Sequence, residues 1–227
     1  MAAQKSDGPR GSQRLLQTAV NRKPELLQAA LRESGALGRR ESVQWFSPLE
    51  AEDYVEYRDK AAQRKLGIEE QLSTPLEDFW PPRGAVWDAL GRSDLDRPIL
   101  VEAKAHIPEV ASPGTTASPA SLKLIRQSLD ATRKHLAPRS TADWTGTFYQ
   151  YANRLAYQYY LRKLNQLDSS LVFLNFTNAA DMDGPRSEEE WHGATRLIHA
   201  ILGVPADLRR FSVFHAFVDA RLLADAV

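Results

Sequence analysis

Apolar residues recur at helical spacing in the first third of the chain. Residues 15–20 place four apolar side chains on one stripe, and Pro24 begins a second stripe. Residues 43–46 have the length of a short strand. Residues 47–50 (SPLE) combine a capping serine, a proline in the first turn and a glutamate three residues after the serine, so they predict a third helix that ends near Leu66.

In the middle of the chain, the spacing of apolar residues changes from a helical period to a period of two residues. Residues 84–91 (GAVWDALG) and 98–107 (PILVEAKAHI) predict two strands of a hairpin, joined by the turn-rich segment 92–97. The second strand alternates between an apolar face and a largely ionisable face. The apolar face carries Ile99, Val101, Ala103, Ala105 and Ile107, and the other face carries Leu100, Glu102, Lys104 and His106.

The second half of the chain alternates helical patterns with short apolar runs. The predicted elements are helices over 121–136, 144–164 and 187–202 and strands over 170–176 and 211–218. With the hairpin, this order predicts an α/β fold whose mixed central β-sheet is flanked by helices on both faces, with extra N-terminal helices. We expect a flexible tail over 1–12 and one domain over 13–227, divided into an N-terminal helical extension (13–47) and a core (48–227).

The composition is that of an ordinary folded domain. Of the 227 residues, 43% are hydrophobic and 26% are charged, which argues against a disordered or membrane-embedded chain. The 29 basic and 29 acidic residues cancel, so any site for a polyanion must be local. The absence of cysteine excludes thiolate nucleophiles and iron–sulfur clusters. No signal peptide or membrane-spanning run is visible, so we expect a cytoplasmic protein without a membrane partner.

Asp88 and Glu102 face each other if the hairpin is symmetric about Leu95. Directly opposed side chains have Cβ atoms about 4.5–5.5 Å apart, and two carboxylates placed there repel each other. A hard cation such as Mg²⁺ suits two converging carboxylates, and Lys104 on the same face adds an ammonium beside it. Two alternatives stay open: a one-residue slip moves Asp88 to the other face, and Glu102 with Lys104 can form a solvated strand face.

A short motif links these residues to a known family. Asp88, thirteen intervening residues and then Glu102-Ala103-Lys104 at the end of an apolar strand resemble the motif of the PD-(D/E)XK, or restriction-endonuclease-like, nuclease superfamily. The resemblance covers residues 48–176. It implies a mixed α/β core and hydrolysis of phosphodiester bonds with Mg²⁺ or Mn²⁺ as the cofactor. DNA is the expected partner, and the family's proline before the aspartate is replaced here by Trp87.

The resemblance also assigns roles to individual residues. By the motif, Asp88 and Glu102 are the catalytic metal ligands, the backbone carbonyl of Ala103 lies near the metal, and Lys104 is the catalytic lysine. Many family members add an acidic residue from a helix that precedes the hairpin. Our first choice for that residue is Glu56, on the helix predicted to end at Leu66. Glu52 and Glu70 are alternatives.

Two further residues are candidate auxiliaries. His106 continues the ionisable face, although a lone histidine is more often structural. Gln150 lies off the apolar stripe of its helix, and the resemblance implies that such a helix can lend a glutamine to the site. The tyrosines of the same helix can stack on bases or belong to the core or an interface. Basic residues cluster over 123–139 and at Arg154, Arg162 and Lys163, where they can contact phosphates or form solvated helix faces.

Two functions follow from this reading. The first is a Mg²⁺-dependent nuclease, a phosphodiesterase that acts on DNA. The second is a catalytically inactive nuclease-like fold that binds protein or nucleic acid. Phosphate-binding glycine loops and the nucleophile elbow of hydrolases are absent from the sequence, which disfavours nucleotide-dependent and α/β-hydrolase activities. The strand that is cleaved, sequence specificity and a homodimeric state stay open.

Overall fold

The structure is a computed structural model that describes residues 10–226, with side chains described up to residue 224. Most of the predicted tail 1–12 lies outside the described residues. Gly11 and Ser12 belong to the first turn of the first helix, α1 (Gly11–Arg22). None of the helices in the described range combines the length and the apolar character that a bilayer crossing requires.

A five-stranded mixed sheet forms the centre of the structure. Its strands are β1 (Val43–Ser47), β4 (Ala89–Ser93), β5 (Pro98–Lys104), β6 (Ser170–Thr177) and β7 (Val213–Asp219), and a separate ribbon pairs β2 (Tyr57–Arg58) with β3 (Val86–Trp87). The strand order in the sheet is β1-β4-β5-β6-β7. β4 is antiparallel to both β1 and β5, whereas β5, β6 and β7 run parallel. The carboxyl ends of β5, β6 and β7 therefore share one edge of the sheet.

Helices cover both faces of this sheet, as the alternation in β5 predicts. α1 and α2 (Pro24–Ser34) pack on the face that carries Ile99, Val101 and Ala103. The opposite face packs against the remaining helices, which are α3 (Asp59–Leu66), α4 (Leu76–Phe79), α5 (Pro119–Leu136), α6 (Tyr149–Tyr159) and α7 (Glu188–Leu202). The α/β architecture with a mixed sheet between helical layers is thus confirmed.

Helix ends follow the capping signals of the sequence in the second half of the chain. The Ser187 hydroxyl accepts a hydrogen bond from the Glu190 amide at the start of α7, and Gly203 ends that helix with a left-handed φ of 70°. Ser118 caps α5 in the same way. These two helices and β6 lie close to their predicted positions. The predicted helix over 144–164 begins later, at Tyr149, and ends in one π-helical turn over Tyr160–Leu164.

The helix predicted to run from Pro48 to Leu66 is wrong in its first half. Ser47 is the last residue of β1 and its buried hydroxyl has no hydrogen-bond partner, so it does not cap a helix. The chain instead makes a 3₁₀ turn over Glu50–Glu52, passes through β2 and enters α3 only at Asp59. Ser47 does not begin a helix, because its backbone pairs with Leu90 in the ladder between β1 and β4.

Candidate functional site

The register of the hairpin brings Asp88 to the strand that carries Glu102. Ala89 pairs with Val101 and Leu90 pairs with Leu100, which is the pairing expected for a hairpin symmetric about Leu95. The predicted first strand is interrupted, because Asp88 forms a bend between β3 and β4. At this bend the Asp88 carboxylate accepts a hydrogen bond of 2.6 Å from the Ala103 amide. The one-residue slip is therefore absent.

Glu102 is a buried carboxylate with two cationic partners. Its side chain is only 2% exposed. Arg154 places Nε at 2.7 Å and Nη2 at 2.5 Å from one carboxylate oxygen. Lys104 places Nζ at 2.6 Å from the other oxygen. Glu102 and Lys104 thus lie on the ionisable face of β5 as predicted, but that face is covered by α6 and is not a solvated surface.

Arg154 is the site residue that the sequence did not assign. Its guanidinium also donates to the carbonyl oxygen of Val86 at 2.8 Å, and it lies over the ring of Trp87 at 4.9 Å. The side chain of Arg154 is 4% exposed, which is rare for arginine unless every donor has a partner. One signal was available: Arg154 follows Gln150 by four residues on a helix, so both share the face that lies off the apolar stripe.

Three carboxylates influence one another at this site. Burial and, after it, the charge of Glu102 raise the pKa of Asp88 to about 8, against the opposing hydrogen bond from Ala103. Burial also raises the pKa of Glu56, and the charge of Glu102 raises it further, while a hydrogen bond from Gln13 lowers it. Two cations, Arg154 and Lys104, face these three acids, so the cluster holds more carboxylates than cations.

Glu56 lies near Glu102, although it is not on a helix. It is partly buried, immediately before β2, and its carboxylate accepts a hydrogen bond from the Gln13 amide at 3.4 Å. The two alternatives are placed elsewhere. Glu52 is bound by the Lys65 ammonium at 2.6 Å and by the Tyr57 hydroxyl, and Glu70 is exposed in a 3₁₀ turn.

The two candidate auxiliaries border the cluster. His106 follows β5, and its Nδ1 lies 3.1 Å from the carboxylate of Glu109. Gln150 donates its backbone N–H to the Ser112 hydroxyl at 2.9 Å. Its side chain lines a small pocket of about 30 Å³ together with Glu102 and Lys104. Gln150 is thus next to the predicted lysine, whereas His106 is engaged with a neighbouring glutamate.

An open cleft leads to the cluster. It has a volume of about 790 Å³ and lies between residues 80–88 and the loop 112–118, with the start of α6 as a third wall. Asp88 and Arg154 both line it, and Arg83 adds a second guanidinium. Asp88, which is partly buried, therefore borders the cleft, while Glu102 lies behind Arg154 and Lys104.

The donor chemistry of the cluster suits a hard cation. Carboxylate oxygens are the ligands that Mg²⁺ prefers, and burial, together with the charge of Glu102, raises the pKa values of Asp88 and Glu56. Within residues 10–224, however, no three or more His, Asp or Glu side chains are already arranged to hold a metal. A cation bound here takes its oxygens from Asp88 first, because Arg154 and Lys104 already engage Glu102.

Other predicted contributors lie away from the cluster. Tyr151, Tyr157 and Tyr160 are buried in the core, so they are not available to stack on bases or to form an external interface. Of the basic residues that the sequence groups over 123–139 and at Arg154, Arg162 and Lys163, the described structure pairs Arg154 alone with Glu102. Arg162 and Lys163 follow α6 and lie at the opposite end of the helix from Gln150.

A buried network of neutral side chains extends beyond the cluster. The Tyr151 hydroxyl lies 2.7 Å from Nε2 of His199 and 3.2 Å from Nε2 of His215. Burial, followed by the neighbouring histidines, lowers the pKa of His215 to about 3, and burial also lowers the pKa of His199. Both rings are therefore neutral at pH 7, and their spacing in the sequence gave no signal of this contact.

Comparison with family models, with curated proteins and with solved structures finds no match to this chain. The function must therefore be inferred from the residues and the geometry of the site.

Proposed function

We propose that this protein is a nuclease that hydrolyses phosphodiester bonds in DNA with Mg²⁺ or Mn²⁺, and that its fold belongs to the restriction-endonuclease-like class. One observation carries the proposal: at the end of β5 the Asp88 carboxylate binds the amide of Ala103, the residue between the paired Glu102 and Lys104, and Asp88 lines an open cleft. The strand order, with an antiparallel hairpin followed by two parallel strands, agrees with that class. The proposal includes a cytoplasmic location.

The acidic residues hold the cofactor in this proposal. Asp88 would supply the accessible carboxylate, Glu102 the second one, and the carbonyl of Ala103 lies on the same segment of β5. Glu56 is the helper acid, since its carboxylate is close enough to respond to the charge of Glu102. A divalent cation bound there neutralises phosphate charge and lowers the pKa of a bound water.

The basic residues position the reacting groups. Lys104 is fixed by its ion pair with Glu102, so its ammonium has a defined place in which to orient a water and to stabilise charge on a phosphate. Arg154 holds Glu102 in its rotamer and also reaches the cleft wall. Because the net charge of the chain is zero, the affinity for DNA rests on these local cations and on the cofactor.

A cleavage assay tests this proposal. Purified protein is incubated with supercoiled, linear and single-stranded DNA in Mg²⁺, Mn²⁺ or EDTA. We expect metal-dependent cleavage that Lys104→Ala reduces by at least about 100-fold, the usual cost of removing one preorganised charge-stabilising group. Lys134→Ala is the matched control, because Lys134 is an exposed lysine outside the cleft. Absence of cleavage on all substrates, or equal activity of Lys104→Ala, contradicts the proposal.

The second candidate function is that of a binding module, and the ion pairs that Glu102 forms with Arg154 and Lys104 favour it. Arg154 and Lys104 each pair with one carboxylate oxygen of Glu102, so two cationic side chains already offset its charge. A module that has lost its activity binds DNA or protein equally well in EDTA and in Mg²⁺. Metal-independent binding combined with absent cleavage supports this second function.

A further inference from the structure

A separate pocket, referred to below as the second pocket, lies at the end of the sheet opposite to the candidate active site. It has a volume of about 160 Å³ and is formed where α5 and α6 end and β7 begins. Val213, the first residue of β7, lies in its wall, whereas Glu102 and Lys104 are at the carboxyl end of β5. Because β5, β6 and β7 are parallel, the two sites occupy opposite edges of the sheet.

The pocket is rich in positive charge. Among the described residues, neither Lys163 nor Arg210 has a carboxylate within ion-pair distance. Two acids of the adjoining segments are engaged elsewhere: Asp168 is paired with Arg162, and Asp207 is held by Arg209 at 2.7 Å. Lys163 and Arg210 therefore present free cationic groups at the rim of a concave surface.

The wall of the pocket is aromatic. His135 lies between two rings, with centroid distances of 5.3 Å to Tyr159 and 5.4 Å to Phe211. The Arg210 guanidinium lies over the Phe211 ring at 4.6 Å. Burial lowers the pKa of His135, and the charges of Lys163 and Arg210 lower it further, so this ring is neutral at pH 7. The pocket thus joins uncharged flat rings to two cations.

The loop that carries Phe211 has a fixed position. The side-chain amide of Gln158, buried on α6, donates to the carbonyl oxygen of Ser212 at 3.0 Å and to that of Ser169 at 2.9 Å. These hydrogen bonds fix the backbone beside Phe211, whereas the side chains of Lys163 and Arg210 are exposed at the rim of the pocket.

From this combination we propose a nucleotide-binding site: one base stacks on Phe211, with the His135 ring inclined at 65° beside it, and its phosphate is bound by Lys163 and Arg210. Aromatic rings bind the face of any base, and lysine and arginine bind the phosphate without regard to sequence. The ligand is either a free nucleotide or a unit of a nucleic acid strand. The proposal does not depend on the nuclease activity, because the site shares no residue with the cluster around Glu102.

Anisotropy of fluorescein-labelled oligothymidylate in EDTA and low salt tests the site. We expect Lys163→Gln/Arg210→Gln to weaken binding by at least about tenfold and to reduce the log–log salt slope by about 0.7, because the two residues together bind one phosphate of a single strand. Phe211→Leu should weaken binding by about tenfold through lost stacking. The matched control is Lys123→Gln/Lys134→Gln, which removes the same charge from the exposed face of α5.

The outcomes separate the two sources of the ligand. If unlabelled thymidine monophosphate displaces the oligonucleotide and also fails to bind the Lys163→Gln/Arg210→Gln variant, the site takes free nucleotides. If only the oligonucleotide binds and depends on Lys163 and Arg210, the source is a strand. If neither ligand binds, or if both double variants lose the same affinity, the proposal is wrong. Because EDTA prevents cleavage, these results are independent of the nuclease assay.

Discussion

Two buried glutamates in this protein are held by arginine, but their surroundings differ. Glu41 accepts two hydrogen bonds from Arg97, at 2.8 and 2.6 Å, and one from the Gly38 amide. Burial pushes its pKa upward, yet the hydrogen bonds from Arg97 and Gly38 outweigh burial, and the pKa is lowered. Glu102 is also bound by an arginine. Its own charge, however, raises the pKa of two neighbouring acids, Asp88 and Glu56.

The difference lies between an isolated ion pair and a cluster in which acids outnumber bases. Around Glu41, one acid meets one base, and the pair connects the loop between α2 and β1 with the β4–β5 hairpin. Around Glu102, three acids meet two bases beside an open cleft. This surplus of acids over bases distinguishes the Glu102 cluster from the Glu41 pair, and the proposed cation site rests on it. Variants of the two clusters should therefore respond differently.

The largest effect is expected from Arg154→Met. It leaves Glu102 buried without its guanidinium partner, and breaking such a pair from one side costs about 3–5 kcal/mol of unfolding free energy. Arg97→Met should cost less, because the Arg97 side chain is 17% exposed and water can reach Glu41 when it is removed. Urea unfolding measures both.

The double variant Arg154→Met/Glu102→Gln serves as the control for this comparison, since it removes both charges and should recover most of the lost stability. An Arg154→Met variant as stable as Arg97→Met contradicts the description of the Glu102 cluster.

The second largest effect is expected on cleavage, which should depend on Glu102 and not on Glu41. Glu102→Gln removes a charge that fixes Lys104 and serves the cofactor, so cleavage should fall by about 100-fold or more. Glu41→Gln should leave cleavage unchanged and lower the unfolding free energy by about 1–3 kcal/mol, because Arg97 loses its charged partner. The cleavage rate and the urea midpoint are measured for both variants. Equal rates would remove the functional distinction between the clusters.

The pH dependence of stability should report Asp88. Because its pKa is raised from 3.8 to about 8, the folded chain keeps a proton that the unfolded chain has released between these pH values. The free energy of unfolding contributed by Asp88 therefore falls as pH rises from 4 to 8, by at most about 1.4 kcal/mol per pH unit. The Asp88→Asn variant can still accept the hydrogen bond from the Ala103 amide, but its side chain does not ionise.

Urea unfolding in EDTA at several pH values tests this expectation. The stability of Asp88→Asn relative to wild type should increase from pH 4 to pH 8 and stay constant above pH 8. Parallel pH profiles for the two proteins would mean that Asp88 ionises as an ordinary aspartate.

The smallest effect is expected from His106→Ala. His106 contacts Glu109 and no residue of the acidic cluster, so its loss should change the unfolding free energy by about 0.5 kcal/mol and leave cleavage unaffected. Gln150→Ala is the comparison, because Gln150 lines the same small pocket as Lys104. If His106→Ala reduced cleavage more than Gln150→Ala does, His106 would have to be assigned to the catalytic site.

Local patterns predicted the part of the site that lies within one hairpin. Alternation in β5 placed Glu102 and Lys104 on one face, and the symmetry of the turn placed Asp88 beside them. These features depend on residues close in the chain. Arg154 lies 52 positions from Glu102, and its contact depends on how α6 packs over the sheet, which no local period encodes.

In the segment around Glu56, the local pattern predicted the wrong secondary structure. A strong helix-start signal at Ser47 was overridden because β1 needed that residue for its ladder with β4. Glu56 nevertheless lies near Glu102, so its position was anticipated while its local structure was not. The second pocket could not be predicted, because His135, Lys163 and Arg210 come from three separate segments that meet only in the folded chain.

Titration calorimetry of Mg²⁺ and Mn²⁺ tests the central claim most directly. Wild-type protein is compared with Asp88→Asn and with Asp96→Asn, which changes an exposed aspartate in the turn of the same hairpin. We predict that wild type and Asp96→Asn bind the metal at a single site with equal affinity, and that Asp88→Asn gives no heat of binding. Absence of binding to wild type, or equal binding to Asp88→Asn, would contradict the assignment of this cluster as a metal site.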